Sequence, residues 1–200
     1  MTPTEDPGQR DLVRRAVAGD PAATEALMAH YRPQLVRYCR ARLGQFGGTY
    51  TTADDVAQET CIGVLRALPT YRDVGKPFAA LVFTIASHKV ADAKRAAMRF
   101  PYPIDTPPDH PDPDASPEQH ALDAEHRAER AALARRVEDL LELLPATHRE
   151  IITLRISVGL PADQVGSILG MSATAVRTAQ SRAVARLREV FASHSNEVAA

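Results

Sequence analysis

The sequence predicts an all-α protein of two small helical domains joined by a flexible linker rich in proline and aspartate. Three observations carry this. Apolar residues recur at helical spacing on both sides of the middle of the chain, and no stretch alternates in the manner of a strand. Seven of the fifteen prolines fall within Pro101 to Pro117, interleaved with Asp105, Asp109, Asp112 and Asp114. Proline withdraws backbone donors and fixes φ while the carboxylates repel one another, so this stretch predicts extended chain rather than a packed element. The expected division is residues 1–100, a linker over 101–120, and residues 121–200.

In chain order, helical periodicity covers Arg10 to Ala18, Pro21 to Leu43, Ala53 to Leu68 and Phe78 to Met98, with breaks at Gly19-Asp20, Gly44 to Thr52 and Pro69 to Pro77. After the linker it covers Pro117 to Leu144, Ala146 to Ser157, Pro161 to Leu169 and Ala173 to Ala192. The two halves follow different patterns, so the chain is not an internal repeat.

Ala162 to Leu187 reads as a helix-turn-helix. Val165, Ile168, Leu169, Met171, Val176 and Ala179 are its apolar positions, Gly166 is the small residue where two helices cross, and Gly170 sits at the turn. Ser172 follows as an N-cap whose hydroxyl accepts from the free amides of the next helix. Arg177, Arg182, Arg186 and Arg188 load that helix with positive charge against Glu189 alone. A recognition helix needs an apolar stripe to hold it and donors to meet phosphates and base edges. The same pattern also fits an amphipathic bundle helix with a solvated basic face.

A second cluster lies in Ala53 to Thr60, where Asp55, Gln58 and Glu59 stand at i, i+3 and i+4 and share one helical face. Carboxylates this near a helix start also stabilise its dipole, but a docking face for a basic partner is the stronger reading. Next come the loop Tyr71 to Pro77 and the run Phe78 to Arg95. The spacing of Phe78 and Phe83 favours core over base stacking, whereas His88, Lys89, Asp92 and Arg95 share a flank suited to holding an unstacked single strand.

Composition limits the alternatives. The 200 residues are 44% hydrophobic and carry a formal net charge of −1, so nucleic-acid affinity must come from local asymmetry rather than a uniformly cationic surface. That asymmetry exists: residues 76–99 hold Lys76, Lys89, Lys94, Arg95 and Arg99 against Asp92, whereas residues 101–120 hold five acids and no Lys or Arg. Cys39 and Cys61 lack zinc-site spacing, and no His, Asp or Glu set has metal-ligand spacing, so no metal and no cofactor are expected. Gly-rich phosphate loops and GxSxG are absent, which argues against an enzyme or a small-molecule substrate. No run is apolar enough to insert into a membrane and no signal-peptide core opens the chain, so the expected location is the cytoplasm.

Together these segments, from about Asp11 to Glu189, resemble the extracytoplasmic-function (ECF) family of bacterial sigma factors, the promoter-recognition subunits of RNA polymerase. Leu12-Val13, Ala16, Gly19-Asp20 and Ala26-Leu27 to Tyr31 look like the start of sigma region 2, a four-helix domain. Asp54 to Thr60 resembles the acidic helix that docks on the beta-prime clamp helices, which implies that role for Asp55, Gln58 and Glu59. Tyr71 to Ala86 is similar to the loop and helix that capture a flipped base of the −10 element. With the basic flank, this implies −10 contacts for Tyr71, Lys76, Phe78, His88, Lys89, Asp92 and Arg95. Leu143-Leu144-Pro145, Arg149-Glu150 and Leu154 match the beginning of region 4, and Ala162 to Leu187 matches the helix-turn-helix that reads the −35 element. By helix phase, Ser172, Thr174, Arg177, Gln180 and Ser181 fall to base contact and Arg182 and Arg186 to phosphate contact.

Leu81 stands where the family commonly has Trp, and Thr178 and Ala179 where Arg is frequent, so base contacts do not carry over to the latter two. Ser172 to Arg188 is similar to an actinobacterial sigma-D-like subgroup. The resemblance implies core polymerase (beta-prime clamp helices and beta flap), promoter DNA and an anti-sigma factor as partners. The alternative, a stand-alone helix-turn-helix regulator, leaves the Asp55, Gln58 and Glu59 face without a role.

Overall fold

The computed structural model describes residues 6–43, 52–99, 129, 132–133, 136–137 and 139–198. The linker expected over 101–120 lies outside them, as does most of the helix expected over Pro117 to Leu144, of which residues 139–142 are helical. Among the described residues there are helices and no strands.

The first unit contains α1 (Pro7–Val17), α2 (Pro21–Leu43), α3 (Ala53–Ala67) and α4 (Phe78–Arg99), with a 3-10 turn at Leu68–Thr70. Each start has a local cause. Proline leads α1, where its missing amide costs nothing. Gly19, at φ +88°, turns the chain out of α1, and Asp20 caps α2 by accepting from the amides of Ala22 (2.9 Å) and Ala23 (3.2 Å). Arg15 binds the other Asp20 oxygen at 2.6 Å and 2.9 Å, and that contact, with the Ala23 amide, holds the Asp20 carboxyl below its ordinary pKa.

Helix α2 supplies the spine of this unit. Ala23, Leu27, Tyr31, Leu35, Tyr38 and Cys39 recur every three or four residues and are all buried. The matching stripe on α4 is Phe78, Ala79, Val82, Phe83, Ala86 and Val90. Tyr31 packs against Phe78 with ring centroids 5.8 Å apart, and Tyr38 meets Phe83 edge-on at 5.5 Å.

The second unit holds α5 (Ala146–Ile152), a π-helical turn over Thr153–Ser157, α6 (Ala162–Leu169) and α7 (Ala173–Val198). Leu144, Ile152 and Ala183 form a small core joined by Leu141, Val184 and Leu187. The rest of its apolar surface turns the other way. Ile151, Leu154, Val158, Leu160, Ala162 and Val165 belong to the same continuous core as α2, α3 and α4, so the two helical units are packed together. Polar contacts cross the same boundary: the Tyr38 hydroxyl donates to Glu150 Oε1 at 2.7 Å, and Arg37 donates to the Val158 carbonyl at 3.3 Å.

Candidate nucleic-acid interface

Backbone requirements at two glycines build the helix-turn-helix. Gly170 ends α6 at φ +68°, a left-handed conformation that avoids a Cβ clash only without a side chain. At Gly166 an added Cβ would lie 2.5 Å from the Met171 carbonyl oxygen, so the chain crosses α6 at backbone contact distance. The Met171 amide closes the turn on the Gly166 carbonyl at 2.7 Å. Ser172 Oγ then accepts from the Ala175 amide at 3.1 Å, the N-cap its sequence position predicts.

Val176, Ala179 and Ala183 bury one stripe of α7. The opposite face presents Thr174, Arg177, Ser181, Arg182 and Arg186 to solvent, with exposed Ser172 beside the helix start. Arg186 is ion-paired to Glu189 at 3.3 Å across one turn. Gln180 is half-buried, and its side-chain oxygen accepts from Arg155 Nε at 3.0 Å. Arg155 also donates to the Leu160 carbonyl at 2.5 Å, so one guanidinium ties the π turn to the recognition helix. Sequence reasoning passed over Arg155, whose partner Gln180 lies 25 positions away in another helix.

The expected −10 set divides on the structure. Lys76 and His88 are exposed, and Tyr71 is half-buried with its ring edge-on to Phe78, centroids 5.1 Å apart. Phe78 has no exposed surface, which corrects its assignment as a DNA contact: as the first residue of α4 it plugs the core between Tyr31 and Tyr71. Asp92 and Arg95 are bonded to each other. Lys89 reaches across to α3 and pairs with Glu59 at 2.9 Å, so the expected −10 and polymerase-docking faces adjoin.

On α3, Asp55, Gln58 and Glu59 are all exposed along one face. Asp55 already has a local task. Its carboxylate accepts from the Thr52 amide (2.8 Å) and hydroxyl (2.8 Å), while Thr52 Oγ1 accepts from the Asp55 amide at 3.1 Å. This is a capping box, and the bonds from Thr52 hold the Asp55 carboxyl below its usual pKa. Neighbouring Asp54 is paired with Arg40 at 2.7 Å.

Family models for Sigma-70 region 2 and Sigma-70 region 4 match residues 27–100 and 140–189, the first covering most of the α2 to α4 unit and the second the helix-turn-helix unit. The chain is 50% identical over 182 residues to the ECF RNA polymerase sigma factor ShbA of Streptomyces griseus, covering 88% of this chain and 92% of that one. It belongs to the ECF RNA polymerase sigma factors. This ECF sigma factor is also 47% identical over 179 residues to SigD of Mycobacterium tuberculosis, covering 89% of this chain and 81% of that one, which agrees with the sigma-D-like character of Ser172 to Arg188. Its fold is similar to CnrH in complex with the cytosolic domain of CnrY, with a TM-score of 0.62 at 26% identity, covering 92% of this chain and 97% of that one. CnrH is a sigma factor of Cupriavidus metallidurans. No helix among the described residues is long and apolar enough to cross a membrane.

Proposed function

We propose that this ECF sigma factor directs core RNA polymerase to promoters in the cytoplasm by reading two DNA elements with its two helical units. The observation that carries this is the exposed donor face of α7, held by a glycine crossing at Gly166, in the same chain as an acidic face on α3 and a basic flank on α4. Residues 121–200 are assigned to the −35 element, residues 1–100 to core docking and the −10 element, and residues 101–120 to the connection. Neither unit needs high affinity of its own, because polymerase holds both and converts the second contact into an intramolecular one.

At the −35 element, Ser172, Thr174, Arg177 and Ser181 face the groove and Arg182 and Arg186 meet phosphates. Gln180 joins them through an amide whose oxygen Arg155 already holds, leaving its NH2 as the reading group. At the −10 element the accessible groups are Tyr71, Lys76 and His88, with Lys89, Asp92 and Arg95 entering on exchange of their present ion-pair partners. The exposed Asp55, Gln58 and Glu59 face is assigned to the beta-prime clamp helices and region 4 to the beta flap. An anti-sigma factor completes the proposed partners.

Arg177→Ala is expected to weaken promoter binding of the holoenzyme by about 1 to 3 kcal/mol and to relax sequence preference at the base it reads. Footprinting on matched and mismatched promoters measures both, and unchanged affinity with unchanged preference removes Arg177 from the interface. Glu59 is the better probe of the docking face, since changing Asp55 would also remove the α3 cap. Glu59→Arg should sharply reduce co-purification with core polymerase while helicity stays at the wild-type level. Full recovery of the complex would take α3 out of the docking surface.

A further inference from the structure

The contacts between the two helical units describe a state of the chain that cannot read a promoter. Val158, Leu160, Ala162 and Val165 are buried in the core that contains the α2 and α4 stripes, so the helix-turn-helix is seated on the first unit. A compact chain of 200 residues has a radius of gyration of about 16 Å, hence a breadth of roughly 40 Å. Elements named −35 and −10 lie about 25 base pairs apart, roughly 80 Å of duplex at about 3.4 Å per pair. With α6 held against α4, the face of α7 and the flank of α4 cannot occupy both elements at once. Residues 101–117 alone have a contour of up to roughly 55 Å, so the connection permits separation.

One polar cluster closes the boundary. Glu150, on α5, accepts from the Tyr38 hydroxyl at 2.7 Å and stands 3.7 Å from Arg42 Nε, an ion pair too long to be a hydrogen bond. The Arg42 and Glu150 side chains are only 21% and 16% exposed. Arg42 Nε is buried and has no hydrogen-bond partner, so Glu150 is its electrostatic compensation. Burial, then Glu150, push the Tyr38 hydroxyl far above its ordinary pKa, which keeps it protonated as a donor. Arg37 adds its bond to the Val158 carbonyl. Each group is satisfied by the other unit, and opening would return Glu150 and Arg42 to water.

We infer that Glu150, Tyr38 and Arg42 form a latch that keeps the free chain closed, and that binding to core polymerase shifts it to an open, promoter-competent state. The inference rests on the sigma-factor reading for its consequence but not for its geometry. A closed population lowers apparent affinity for core by the fraction of chains that are open.

The test compares full-length wild type with Tyr38→Phe/Glu150→Gln, which removes the charge and the hydroxyl and leaves volume nearly unchanged. Small-angle X-ray scattering should find the wild type compact and the double variant larger, with equal helicity by circular dichroism. The double variant should bind core polymerase several-fold more tightly. The charge exchange Arg42→Glu/Glu150→Arg, which rebuilds the pair in reverse, should return the chain to the compact form, and Arg37→Ala should expand it in part. An expanded wild type overturns the latch, as does a double variant with wild-type dimensions and wild-type affinity for core. Should the double variant lose helicity, the charge exchange and Arg37→Ala decide the matter: a compact Arg37→Ala, or an exchanged pair that stays open, overturns the latch. Failure of the sigma-factor reading would show separately, as absence of promoter-specific transcripts from every variant whatever the scattering result.

Discussion

Phe78→Ala is expected to lower the stability of the chain by about 3 to 5 kcal/mol, a loss comparable with the total stability of a small helical domain. The ring is fully buried at the start of α4, touches Tyr31 on α2 and Tyr71 beyond the 3-10 turn, and has no route by which the site could collapse without moving α4. Urea denaturation followed by circular dichroism should show an earlier midpoint for the variant, with Phe78→Leu intermediate. If Phe78 were instead a group for stacking on a flipped base, the variant would keep its midpoint and lose only promoter opening. The two outcomes cannot be confused, because one is read without DNA present.

Gly166→Val is expected to abolish −35 recognition. Its Cβ alone would meet the Met171 carbonyl oxygen at 2.5 Å, and the obstacle is backbone rather than a side chain that could swing away. Relief requires the turn to lift off α6, carrying Ser172 and the opening turn of α7 with it. Overpacking of this kind costs about 1 to 3 kcal/mol and sometimes more, and the displacement matters further because base contacts depend on placing α7 to within a fraction of an ångström. Binding of a −35 duplex by holoenzyme, measured by titration, should fall to the non-specific level, whereas co-purification with core should persist through the α3 face. A variant that binds the duplex normally would contradict the crossing described at Gly166.

Much of the fold was legible because its determinants are local. The bounds of α2 match the expected Pro21 to Leu43, and α3, α4, α6 and the start of α7 fall within one residue of expectation, since proline, glycine and capping residues mark them. Gly166, Gly170 and Ser172 do what their positions imply for the same reason. Contacts over long sequence separations were not legible. Tyr38 and Glu150 lie 112 positions apart and Arg37 and Val158 lie 121 apart, and neither helix carries a pattern that names its partner. The apolar faces of Val158 and Leu160 were readable as buried, but not as buried against the other unit.

The candidate site shows the same division. The exposed face of α7 followed from helix phase, as did the exposure of Asp55, Gln58 and Glu59. Phase could not reveal that Gln180 is held by Arg155, that Lys89 spans to Glu59, or that Asp92 and Arg95 bind each other. Asp55 is instructive because the Thr52 to Asp55 spacing of a capping box stands in the sequence and explains its carboxylate locally, independently of any docking role. Phe78 was assigned to DNA through its place in the family motif, although its own spacing pointed to the core.

The most direct test of the central claim is run-off transcription with purified core polymerase on a template carrying promoters recovered with the tagged chain. A single defined start that disappears when either the −35 or the −10 element is scrambled is the result expected of a chain that reads both. No transcript above that of core alone, or occupancy of one DNA site that blocks synthesis without starting it, would contradict the claim and point to a stand-alone helix-turn-helix regulator.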